Sequence, residues 1–164
     1  MTDRRQFGFT MVELMITIAI FSILVALALP SFQSTIERQR LIGATEGLFA
    51  DLQYARSQAI KRNTSVQLQF DETDWCYGLD DSGLDCDCAN TPANCTINGQ
   101  QKVVQGSDYL NVTLAGTMTD NDVVFDPRLG MPVNNTDDVG IFTIAINGQS
   151  KTITINAVGR IKVD

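Results

Sequence analysis

The strongest constraint on this chain is a run of 21 residues, Phe9 to Leu29, broken by one charge, Glu13. As a helix rising about 1.5 Å per residue it would be roughly 30 Å long, the thickness of a bilayer core. Glu13 is the only charged side chain between Arg5 and Glu37. A lone carboxylate in an apolar helix costs several kcal/mol unless it finds a partner. Arg4 and Arg5 precede the run and predict a leader on the cytoplasmic side. A secretory signal would have a shorter apolar core and a small-residue cleavage site behind it. Leu27-Ala28-Leu29-Pro30-Ser31 is a poor candidate for such a site. The run therefore predicts an uncleaved membrane anchor. Everything after Pro30 reads as a globular part carried outside the cytoplasm.

Beyond Pro30, Phe32, Ile36, Leu41, Ala44, Leu48, Leu52, Ala55 and Ala59 recur at steps of mostly three and four. That is one apolar stripe on an amphipathic helix. A single helix is expected from about Phe9 to about Arg62, apolar all round in its first half and striped in its second. Gly43 and Gly47 are four apart and mark either close packing on the domain or a soft point. From Asn63 the period changes to two, with Val66, Leu68 and Phe70 alternating with glutamines, which predicts a strand. Further strands are expected near Trp75–Leu79, Lys102–Gln105, Tyr109–Leu114, Asp122–Phe125, Val139–Ile146, Lys151–Asn156 and Gly159–Val163. Asn147-Gly148 is a strong hairpin signal between two of them. Residues 80–100 are rich in Asp, Asn, Gly, Ser, Thr and Cys and read as a loop. The expected fold is α+β, a long N-terminal helix packed on an antiparallel two-sheet β domain.

The composition excludes several functions. Lys+Arg is 12 against 19 Asp+Glu, a net charge of −7, which on average repels nucleic acid and anionic lipid. Histidine is absent, and with it the commonest general base and zinc ligand. There is no nucleophile–base pattern and no Gly-rich phosphate loop, so neither an enzyme nor a cofactor is expected. Cys76, Cys86, Cys88 and Cys95 fit neither paired C-x2-C zinc spacing nor a redox C-x-x-C. Outside the cytoplasm they predict two disulfides. Pairing Cys86 with Cys88 is strained by the short ring. Of the two remaining connectivities, the expected one is Cys76–Cys86 with Cys88–Cys95. The acids around them, Asp71, Glu72, Asp74, Asp80, Asp81, Asp85 and Asp87, lack EF-hand spacing and read as a solvated face.

Gly8-Phe9-Thr10-Met11-Val12-Glu13-Leu14, behind a basic leader and ahead of an apolar run, closely resembles the processing motif of type IV prepilins and type II secretion pseudopilins. The resemblance implies a leader over 1–8, cleavage between Gly8 and Phe9 by a prepilin peptidase, and N-methylation of Phe9. It divides the rest into a membrane or filament-core half-helix (9–30), an amphipathic half-helix (31–62) and a β domain (63–164) with its cysteine loop at 76–95. Cleavage would create a cationic amine on Phe9, and pairing with it would offset the cost of burying Glu13. Between neighbouring subunits such a pair would set axial register; within one helix it would have no assembly role.

The C-terminal half is similar to the GspH/FimT group of minor pilins and pseudopilins. Phe125-Asp126-Pro127-Arg128-Leu129-Gly130 resembles that group's Phe-x-Pro-x-x-Gly segment, and Ile153 to Lys162 its closing strand with a Gly-Arg motif. Leu48 to Ala59 resembles its helix end. The resemblance implies a low-copy subunit that helps initiate or cap a type IV pilus, or a minor pseudopilin of type II secretion. The implied partners are other major and minor pilins or pseudopilins, the peptidase, and the bacterial inner membrane before assembly, with the C-terminal domain in the periplasm. Some members bind DNA through a C-terminal Gly-Arg-x-Arg. Here Gly159, Arg160, Ile161 and Lys162 stand in its place, which makes Arg160 and Lys162 the candidate DNA contacts. Lys162 contacts phosphate without the bidentate fork of arginine.

Overall fold

The structure, a computed structural model, describes residues 8–90, 93–118, 121–133 and 139–164, with only the backbone described at 27–31 and Val139. The expected leader, apart from Gly8, and the side chain of Pro30 lie outside the described residues. Contacts divide the chain into two units, residues 1–36 and 37–164.

In the first unit, helix α1 (Met11–Arg62) begins. From Met11 to Val25 its large apolar side chains are exposed. Among the described residues no helix is long and apolar enough to cross a membrane. The expected span reaches Leu29, and the side chains of its residues 27–29 lie outside the described ones.

The second unit holds the core. Along α1, Leu41, Ala44, Thr45, Leu48, Leu52, Ala55 and Ala59 are buried, so the expected stripe lies inward from Leu41 on. Phe32 and Ile36 are exposed and are not part of it. Among the described residues ten strands follow: β1 (Val66–Asp71), β2 (Cys76–Asp80), β3 (Thr96–Ile97), β4 (Gln100–Gln101), β5 (Val103–Gln105), β6 (Thr113–Gly116), β7 (Asp122–Phe125), β8 (Val139–Ile146), β9 (Gln149–Asn156) and β10 (Ile161–Val163). They form two four-stranded antiparallel sheets, β5-β2-β1-β7 and β10-β9-β8-β6, and a two-stranded ribbon, β3-β4. Alternation puts Leu68 and Phe70 of β1, Val123 and Phe125 of β7, Phe142 and Ile144 of β8, and Ile153 and Ile155 of β9 into one core with the helix stripe. Phe70 and Phe142 meet edge to face across the sheets, with ring centroids 5.1 Å apart.

The glycine pair on α1 marks close packing. A Cβ on Gly43 would lie 3.6 Å from the Tyr109 ring, and one on Gly47 would lie 3.0 Å from the Tyr109 hydroxyl and 3.8 Å from that of Tyr77. Next to them the Tyr77 hydroxyl donates to Asp51 Oδ2 (3.1 Å), and Lys102 Nζ pairs with Asp51 Oδ1 (2.9 Å). One helical carboxylate thus fastens β2 and the start of β5. Burial and the Asp51 charge push the Tyr77 phenol well above its ordinary range.

The disulfides correct the expected pairing. Cys76 bonds Cys88 and Cys86 bonds Cys95, with Cα–Cα distances of 5.8 and 4.7 Å. The expected Cys76–Cys86 and Cys88–Cys95 closed the shortest loops. The fold instead sends the chain back alongside β2 after Asp80. Cys86 then reaches the level of Gly78, where Cys95 crosses, before Cys88 reaches Cys76. A Cβ on Gly78 would overlap Cys95 Sγ, so the glycine is the gap through which the second bridge passes.

The acids around this loop organise turns. Asp71 accepts from the Thr73 and Asp74 amides, Asp80 from Ser82 and Thr96, Asp81 from Asn98, Asp87 from Ala89 and Asn90, and Glu72 from Gly116. Asp81 also pairs with Arg62 at the end of α1. Asp80 does this while 2% exposed, far from the solvated role read for it.

Candidate functional site

At the N-terminus, Gly8, Phe9 and Thr10 are outside the helix and exposed. Thr10 caps α1: its carbonyl accepts from the Leu14 amide (3.1 Å) and its Oγ1 from the Glu13 amide (3.2 Å). Glu13 therefore stands in the first turn, where the helix dipole favours a carboxylate. Thr10-x-x-Glu13 is the spacing of a capping box, a signal the charge argument alone passed over. A Cβ on Gly8 would meet nothing within 4 Å. Among the described residues nothing demands a glycine there.

The two C-terminal motifs are remote in sequence and meet at Arg56. After β7, Asp126 Oδ1 accepts from the Arg128 and Leu129 amides, and the Asp126 carbonyl from the Gly130 amide. This turn returns the chain so that Pro132 bridges to Phe125. After β9, Asn156 closes a second turn: its Oδ1 accepts from the Arg160 amide (2.7 Å) and its carbonyl from the Gly159 amide (2.8 Å). Gly130 (φ +63°) and Gly159 (φ +76°) both need the left-handed region. Arg56 of α1 reaches both turns, donating from Nε to the Gly130 carbonyl (3.0 Å) and from a terminal nitrogen to the Val158 carbonyl (3.4 Å). A Cβ on Gly159 would overlap the Gly130 carbonyl oxygen. The motif glycines are what allow the turns to nest.

Arg160 and Lys162 are both exposed. Lys162 Nζ is engaged by Asp164. In the β9–β10 register Lys162 faces Thr154 and Asp164 bonds Thr152, so Lys151 stands beyond the Asp164 end, remote from Arg160. Cys76, Cys86, Cys88 and Cys95 are buried in two bridges and present no reactive thiol. Among the described residues no group of three or more Cys, Asp or Glu side chains is placed to hold a metal ion.

Residues 44–159 match the sequence pattern of the family described as type II transport protein GspH, and residues 3–29 match the prokaryotic N-terminal methylation motif. The crystal structure of the type IV minor pilin FimU from Pseudomonas aeruginosa is similar, with a TM-score of 0.58 and 25% identity over 78% of this chain and 90% of FimU. The minor pseudopilin EpsH from the type 2 secretion system of Vibrio cholerae shares the fold, with a TM-score of 0.55 and 9% identity over 76% of this chain and 96% of EpsH. No curated protein matches the chain.

Proposed function

The chain belongs to the GspH family and is a minor pilin or pseudopilin, and from that premise we propose that it is a structural, non-catalytic subunit that helps initiate or cap a type IV pilus. The observation that carries the pilus reading is the likeness to FimU, which spans nearly all of FimU at 25% identity. On this reading the chain enters the inner membrane through its apolar helix, with its β domain in the periplasm. A prepilin peptidase cuts between Gly8 and Phe9, and the new amine is methylated. Glu13 then pairs with the Phe9 amine of a neighbouring major or minor subunit and fixes axial register. That pairing offsets much of the cost of a buried carboxylate, which no apolar residue at position 13 would incur. The family's own description favours a second reading, a minor pseudopilin of a type II secretion machine. DNA contact at Arg160 and Lys162 is not part of either reading, because Lys162 is neutralised by Asp164 and the chain is acidic overall.

Filaments sheared from cells carrying the native chain or Glu13→Val test the pilus reading. The native chain should be recovered with N-methylated Phe9 at its terminus, and Glu13→Val should be processed yet lost from the filament. Equal recovery of both forms would overturn the register role. A native chain missing from pili, with secretion impaired in its absence, would favour the second reading.

A further inference from the structure

Around the Arg56 junction three separate segments expose apolar side chains: Ile60 near the end of α1 (47% exposed), Leu129 on the first turn and Val158 on the second (61% each). The segments are contiguous. A Cβ on Gly130 would lie 2.8 Å from Ile60 Cδ1 and 2.9 Å from Arg56 Cγ, and Gly159 backs onto the Gly130 carbonyl. Arg128 precedes Leu129 and Arg160 lies two residues after Val158; both are exposed, and among the described residues neither forms an ion pair. An apolar centre with a charged rim is the anatomy of a protein interface. The display is also rigid, since both turns are closed by Asp126 and Asn156 and tied to the helix by Arg56. Little ordering entropy would be lost on binding.

We propose that this surface seats a different subunit of the same filament, one that presents carboxylates around an apolar contact. The proposal rests on the filament reading and adds a head-to-head contact to the helix packing. Charge complementarity chooses the partner: two exposed guanidinium groups that form no ion pair among the described residues attract carboxylates and repel a basic face. Nucleic acid fits poorly, because the exposed centre is aliphatic, with none of the aromatic rings on which bases stack. A second copy docked through the same surface fits poorly as well, since Arg128 and Arg160 of one copy would face those of the other.

Photo-crosslinking in filament-assembling cells tests this, with p-benzoylphenylalanine in place of Leu129 in the full chain. The expected result is an adduct with another filament subunit. Arg128→Glu combined with Arg160→Glu should reduce it about tenfold or more. Changing the acidic residue at the adduct site of the partner to Lys should restore it. Val158→Asp is the second variant and should weaken the adduct as well, with intact disulfides on a non-reducing gel reporting the fold of each variant. An adduct with a second copy, an adduct with DNA, or an adduct indifferent to both variants overturns the proposal. A native chain present in filaments without any adduct overturns the seat and leaves the filament reading standing. A native chain absent from filaments overturns the filament reading and the seat with it.

Discussion

Tyr77 is held neutral by its surroundings, and that has a measurable consequence. Its hydroxyl donates to Asp51, and burial and the Asp51 charge raise its pKa above the ordinary phenol value of about 10. A group whose pKa is higher in the folded state stabilises the fold fully below its unfolded pKa and progressively less above it. Unfolding free energy should therefore fall as pH rises past about 10, with a slope approaching about 1.4 kcal/mol per pH unit from this group alone. Tyr77→Phe should remove that component. Denaturant titrations of both proteins at about pH 8 and about pH 11 check it. An identical pH dependence in the two would contradict the assignment. The same scale shows what a sequence conceals. Gly130 and Gly159 stand out as motif residues, but the reason for each is the other, together with Arg56, and nothing in the spacing from 56 to 130 to 159 announces that they touch. Glu13 was legible as an anomaly, because a charge in an apolar run has no local explanation. Its place in the first turn, capped by Thr10, was equally readable from the Thr-x-x-Glu spacing.

At the scale of elements, period-two patterning placed the long strands well. Asp122–Phe125 and Val139–Ile146 appear with the expected bounds. The misses are short elements governed by side-chain hydrogen bonds and crosslinks. Asn98-Gly99 carries the same hairpin signal as Asn147-Gly148, and both pairs adopt positive φ, yet Thr96–Gln101 read as loop because its strands have two residues each. The strand expected over Tyr109–Leu114 begins only at Thr113, since Tyr109 to Val112 form a turn in which the Tyr109 carbonyl accepts from the Val112 amide (3.1 Å) and Asn111 has φ +65°. The spacing of the four cysteines left two pairings open, and the one that forms is decided by the reversal of the chain beside β2, which the spacing does not show. Peptide mapping under non-reducing conditions should recover Cys76–Cys88 and Cys86–Cys95. Gly78→Ala should selectively hinder the second bridge, leaving Cys86 and Cys95 reactive to thiol reagents while Cys76–Cys88 still closes. Loss of that bridge should cost about 2–3 kcal/mol by loop-closure entropy. A Gly78→Ala protein without free thiols would refute the role given to this glycine.

The whole molecule divides its labour between two units. None of the described side chains of residues 1–36 is buried, while residues 37–164 hold the helix stripe, both four-stranded sheets and both disulfides. A chain starting at Glu37 should therefore fold as a soluble, fully bridged domain with a cooperative thermal transition and native-like circular dichroism. A non-cooperative melt would show that the first unit is needed for the fold. The Arg56 junction has one more consequence, a mechanical one. The Gly130 turn follows β7 of the first sheet and the Val158 turn leads from β9 to β10 of the second, and a single guanidinium on α1 holds both. Peeling either sheet from the helix at that end therefore breaks a hydrogen bond of the same guanidinium.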